Sequence, residues 1–148
     1  MENVKYSSYA PSILRLFLGM LFIIPGFQKL ANPSMIIGML GGLGFPAPNL
    51  FGWLLLLSEI GFGTLILIGW KLNYTVWPLV TILGVATMTV HIPAFFEAAP
   101  MALITVILHL LAIAALINLY LSGPGAFAVK RFKVVLTEEK PVAEAERE

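Results

Sequence analysis

Four apolar stretches, each about twenty residues long, decide most of what this 148-residue chain can become. They run from about Pro11 to Leu30, Leu50 to Trp70, Tyr74 to Phe96 and Pro100 to Leu121. At a rise of about 1.5 Å per residue, each helix formed from them crosses about 30 Å of hydrocarbon. Inside hydrocarbon a lone segment satisfies its own backbone only as a helix. Composition agrees, since 11% of the chain is charged and its mean hydropathy is +0.91, against about 25% charged in an ordinary soluble domain. The expected fold is all-α, a four-transmembrane-helix bundle within residues 1–125 followed by a tail over 126–148.

The first stretch follows Lys5 and invites comparison with a secretory signal. It exceeds the roughly 7 to 15 residues of a signal core, holds Arg15 and ends in Gln28-Lys29, so it is expected to remain as a span. Orientation follows from the short flanks: Lys5, Lys71, Lys130, Arg131 and Lys133 fall on one side, and the loops 31–49 and 97–99 contain neither lysine nor arginine. Lysine and arginine favour the cytoplasmic side, which places both termini in the cytoplasm of a multi-pass cell-membrane protein. The loop 31–49 is uncharged and apolar from Met35 to Leu40, before Gly41-Gly42-Leu43-Gly44-Phe45-Pro46 breaks any helix. Such a loop lies in the interface or dips back into the bilayer. Trp53, Trp70 and Trp77 stand near span ends, as an aromatic belt does. In the tail, Phe127 to Leu136 mixes apolar and basic residues and suits an anionic membrane surface, and the Glu-rich run from Thr137 to Glu148 reads as disordered.

Several functions are excluded early. The chain has no cysteine, which removes disulfides, CxxC chemistry, iron–sulfur clusters, thiolate zinc sites and covalently attached haem. A net charge of +1 and a pI near 8.0 supply no basic field for nucleic acid.

Of 17 charged residues, ten lie after Pro124, and Arg15, Lys29 and Glu59 are the three that fall inside spans. An ion at that depth costs at least about 2.5 to 3.5 kcal/mol, so these side chains should face protein or water. Helical spacing supports this. Arg15, Gly19, Phe22, Gly26 and Lys29 form one stripe on the first helix, and Gly52, Glu59, Gly63 and Ile66 form one on the second. The third offers Gly84, Thr87 and His91, and the fourth Ala102, Thr105, His109 and Ala112. Small and polar faces of this kind let lipid-embedded helices approach closely. Depth places Glu59 near the midplane with His109, Lys29 and His91 further outward, and Arg15 near the inner surface. A polar cluster of Lys29, Glu59, His91 and His109 is therefore geometrically open.

Each residue has a plainer reading. Arg15 and Lys29 can snorkel to the nearest interface. Glu59 is too deep for that, and reads as a functional or tightly paired carboxylate. His91 and His109 more commonly bond within a bundle than bind a ligand; as axial ligands of haem they fit poorly, because antiparallel neighbours would hold them at different depths. No metal centre is assigned. Pro25 and Pro93 should kink or end helices.

The run Leu14-Arg15-Leu16 through Gly19, Phe22, Gly26 and Lys29-Leu30 resembles the opening signature of the DoxX/DoxD family of small four-helix membrane proteins. Gly44-Phe45-Pro46-Ala47-Pro48, then Glu59 with Gly61, Gly63, Leu65 and Gly69, resembles the next block, followed by His91 and Gly123-Pro124-Gly125. The resemblance covers residues 13 to 125. Many members continue that last turn with an arginine, a serine and an aspartate, where this chain has Ala126, Ala128 and Lys130. The resemblance implies membership of a group that includes thiosulfate:quinone oxidoreductase subunits, oxidative-stress or quinone-detoxification assemblies and, more distantly, cargo receptors or chaperones. Family membership is not a reaction.

Two functions follow as expectations. The main one is a small accessory subunit without intrinsic cofactor, docked on a larger membrane redox or respiratory complex or on copies of itself, with quinone contact as part of the role. There Arg15 and Glu59 would pair within the bundle or with the partner. The alternative is a quinone-linked oxidoreductase subunit in which Glu59 and a histidine exchange protons with quinone. Membrane chaperoning and small-solute transport are further options.

Overall fold

The computed structural model describes residues 9–97, 99, 101–126, 128 and 129. The chain order is α1 (Ala10–Ala31), α2 (Pro33–Gly42), α3 (Pro48–Ile68), α4 (Leu72–Ala86), a π-helical turn (Thr87–His91), α5 (Ile92–Phe96) and α6 (Ala102–Ser122), with no strand among the described residues. Helices α1, α3 and α6, and the continuous segment Leu72–Phe96, are each long and apolar enough to cross a membrane. Within their most apolar windows only 17% to 28% of residues are buried. Most of the apolar surface therefore faces outward, the arrangement that suits lipid and not water.

The spans close a ring: α1 packs most heavily on α3, α3 on α4, α4 on α6, and α6 back on α1. Lipid tails are as apolar as leucine, so close contact has to hold these helices together in place of a hydrophobic drive. Gly19 and Gly63 provide it. A Cβ on Gly19 would lie 2.9 Å from Leu67 Cβ and 3.1 Å from the Gly63 carbonyl. Gly19→Leu is accordingly expected to push α1 off α3 at a cost of about 1–3 kcal/mol, seen as a lower melting temperature in detergent by circular dichroism. Gly84 behaves differently from the close-packing role its stripe suggests, because a Cβ there would meet nothing within 4 Å. Gly84→Ala should leave stability unchanged or raise it by up to about 1 kcal/mol. Equal losses in the two variants would contradict this packing.

The bundle is divided along its axis. Leu18, Phe22, Ile66, Leu72, Val76, Leu79, Leu83, Ala112, Leu116 and Leu119 form a buried apolar core. They come from the early part of α1 and α4 and the late part of α3 and α6, hence from the half that carries residues 9 and 126. The polar residues Lys29, His91 and His109 occupy the other half, with Glu59 at the middle of α3.

Two features depart from the sequence reading. The loop 31–49 contains a helix, α2, whose Ile36 and Leu40 are buried against α3 and α1, and which ends at Gly42, inside the glycine run. Pro25 does not end α1, and Pro78, which the sequence reading passed over, sits inside α4. Both are tolerated because lipid-embedded helices re-satisfy a freed carbonyl locally. Pro93 follows the π-turn. In the tail, Ala128 is buried and Val129 exposed; the rest of the expected amphipathic segment and the expected disordered segment lie outside the described residues.

Candidate functional site

Lys29 and Glu59 meet. Lys29 Nζ lies 2.5 Å from both carboxylate oxygens of Glu59. The approach is possible because Gly26, one turn before Lys29, faces Ile60 where a Cβ would lie 2.6 Å from Ile60 Cγ1. Glu59 shares the buried stripe Gly52, Leu56, Gly63 and Ile66, and its side chain is 9% exposed against 31% for Lys29. The carboxylate is thus the deeply placed partner, and the ammonium reaches it from the rim. Lys29 is paired and not simply snorkelling.

The histidines form a second pair. The rings of His91 and His109 have centroids 4.5 Å apart and planes inclined by 32°. The spacing limits any difference in their depths to 4.5 Å, so the offset expected of antiparallel neighbours does not keep the rings apart. The reason lies in the π-turn, where the Ile92 amide bonds to the Thr87 carbonyl, adding one residue to that turn and rotating His91 toward α6. With the rings in contact, no gap remains between them for a porphyrin plane. His109 Nδ1 lies 2.8 Å from the Thr105 carbonyl. A carbonyl only accepts, so Nδ1 carries the hydrogen and Nε2 of the neutral ring is left as an acceptor. The two pairs do not merge into one metal centre: among the described residues no three His, Asp or Glu stand close enough to share an ion.

Arg15 is in neither pair and does not snorkel. It is 3% exposed, near the bundle end that carries residues 9 and 126, and the pairing within the bundle expected of it is made with backbone, whereas that expected of Glu59 is made with Lys29. Its Nη2 donates to the Ala126 carbonyl at 2.8 Å, and the Ser12 hydroxyl donates to the same oxygen. The chain after α6 thus folds back over α1. Gly69 makes room for this: it caps α3 in the left-handed region at φ +73, and Arg15 Nη1 fills the space its Cβ would need. Spacing marked Arg15 as inward-facing, but Ser12, Ala126 and Ala128 were not singled out as its surroundings. The signal available for Gly69 was its place just past an apolar run, where helix-ending glycines occur.

An apolar cleft of about 360 Å³ lies between α2, α3 and the segment Leu72–Phe96, lined by residues that include Leu40, Phe51, Leu55, Ser58, Ile82 and Thr89. The Thr89 hydroxyl is spent on the Val85 carbonyl of its own helix at 2.8 Å. Ser58, the residue before Glu59, has no such bond among the described residues, so its hydroxyl is free to meet whatever enters.

No curated protein and no solved structure matches the chain. The DoxX family model matches residues 10–92, from the start of α1 through the π-turn and including Arg15, Lys29, Glu59 and His91. His109 and the glycine-proline-glycine turn lie beyond that match. With more than half of its length matched over three of the four spans, this membrane protein belongs to the DoxX family.

Proposed function

We propose that this chain is a small accessory subunit of a larger membrane redox assembly and that it meets quinone at the Lys29–Glu59 pair. The observation that carries the reading is that ion pair, set within helices that are otherwise apolar at that depth. A buried ion pair contributes little net stability beside apolar side chains of similar size. Chemistry therefore accounts for its presence better than packing does.

The cleft beside Ser58 has the size and apolar lining for a prenylated ring. A bound quinone supplies carbonyl oxygens that accept hydrogen bonds and take up protons. Lys29 Nζ, partly exposed, is the donor that can turn toward such an oxygen. Glu59 holds Lys29 at the rim and keeps its proton in place between exchanges. Electron transfer belongs to partner subunits, and the lipid-facing residues of α6, such as Leu103, Ile107 and Leu111, which are all exposed, offer them a surface. The lysine and arginine distribution supports a reading in which the protein lies in the cell membrane with both termini cytoplasmic.

Solubilisation in mild detergent tests both parts. The chain is expected to run on native gels with larger partners and to carry extractable quinone, and Glu59→Gln should lower the quinone while leaving the assembly intact. Migration of the chain alone at its own mass would remove the accessory role. Unchanged quinone in the variant would remove the contact.

A further inference from the structure

The end of the bundle opposite the two polar pairs carries positive charge that no described residue neutralises. Arg15 is 3% exposed, and its Nε and Nη1 are buried without a hydrogen-bond partner. The acidic residues among the described ones are Glu59, which is held by Lys29, and Glu97, which follows α5 at the far end. A cation in this position is strongly disfavoured unless an anion balances it.

The surroundings supply a seat for one. A cavity of about 160 Å³ is bounded by Gly69, Lys71, Leu72, Asn73, Tyr74 and Pro124. That is roughly five water volumes at about 30 Å³ each, enough for a phosphate group that displaces water. Helix α4 begins in its wall with no side-chain cap, so the first amides, those of Leu72 and Asn73, have no intrahelical acceptor and stand at the positive end of the helix dipole. Lys71 adds a second cation, its Nζ placed 4.8 Å over the Trp70 ring. The guanidinium lies against the same wall without itself lining the cavity. Its unpartnered Nη1 abuts Gly69, and its Nη2 holds Ala126, two residues after Pro124.

We propose that this cavity is a phosphate-anion site, with the α4 amides and Lys71 as direct ligands and Arg15 as the buried charge that the anion balances. Tyr74, which bounds the cavity, and Trp70, next to Lys71 in the chain, are 77% and 42% exposed and match the aromatic residues that settle at headgroup level. A phospholipid headgroup and inorganic phosphate share the required chemistry.

The test uses the full chain, delipidated and then exposed to phosphatidylglycerol or phosphatidylcholine, with retained lipid counted by native mass spectrometry. The wild type is expected to keep phosphatidylglycerol in preference. Lys71→Gln, outside the spans, should weaken that retention about fivefold with an unchanged circular dichroism spectrum. Arg15→Met should abolish the preference; should that variant fail to fold, Lys71→Gln carries the test alone. Inorganic phosphate distinguishes the sources. A melting temperature raised by phosphate but not by chloride at equal ionic strength assigns the site to the free anion, and a lipid preference that phosphate does not displace assigns it to the headgroup. Equal retention of both lipids with no phosphate response, or Lys71→Gln behaving as wild type in both assays, overturns the proposal.

Discussion

Gly69→Ala is expected to destabilise the protein by about 3 kcal/mol or more. Two causes add. The residue sits in the left-handed region at φ +73, where a Cβ costs about 1–2 kcal/mol. Its amide bonds to the Ile66 carbonyl and the next amide, that of Trp70, to the Leu65 carbonyl, each at 3.0 Å, so the turn cannot relax without uncapping α3. The new methyl also has nowhere to go. Arg15 Nη1 already fills its place, and Ala128 Cβ lies 2.9 Å from it. Displacing the guanidinium breaks its bond to Ala126 and loosens the chain after α6. Gly44→Ala is the control, since Gly44 has φ +76 but open space where a Cβ would stand; strain alone should cost about 1–2 kcal/mol there. Unfolding followed by tryptophan fluorescence in mixed micelles measures both, and equal losses would show that the guanidinium does not occupy the Gly69 site.

The Lys29–Glu59 pair should break asymmetrically. Lys29→Met leaves a carboxylate whose side chain is 9% exposed, whereas Glu59→Leu leaves an ammonium 31% exposed on a long stem. Removing one partner of a fully buried pair costs about 3–5 kcal/mol. Lys29→Met is expected in that range. Glu59→Leu should cost about 1–2 kcal/mol, because the freed lysine can swing toward the interface. The double variant should return to within about 1 kcal/mol of wild type, since two apolar side chains replace two desolvated ions. A double-mutant cycle on unfolding free energies reads the coupling. Additive losses would mean that the pair is not formed. A double variant that is stable yet carries no quinone would separate the pair's chemistry from its packing, as the proposed function requires.

The spans were legible because their length and periodicity come from the bilayer itself: the four runs read from the sequence fall within two residues of α1, α3, the segment Leu72–Phe96 and α6 at every end. The inward stripes were legible for the same reason. Arg15, Gly19, Phe22 and Gly26 are all buried, as are Gly52, Glu59, Gly63 and Ile66. Periodicity assigns a residue its face and depth, but not the neighbour it meets. Lys29 finding Glu59, with the two histidines forming a separate pair, depends on how each helix is rotated about its axis. Arg15 illustrates the limit more strongly, because its acceptor is a backbone carbonyl 111 residues away, and a carbonyl leaves no trace in residue type. Helix α2 is not evident from the sequence because its apolar stretch is short and its ends are marked only by Asn32-Pro33 and the glycine run.

The meeting of the two histidines is, in the end, a matter of counting. Proline at position 93 has no amide hydrogen and would press its ring on the carbonyl four residues earlier, and the backbone accommodates it by bonding Ile92 to Thr87 across five residues. One residue is worth about 100° of helical rotation. The proline thereby acts as a setscrew: it fixes the angular phase of everything from His91 onward relative to α4. The ring contact with His109 is inherited from that phase, so a neighbour with no side-chain chemistry of its own decides whether the pair exists.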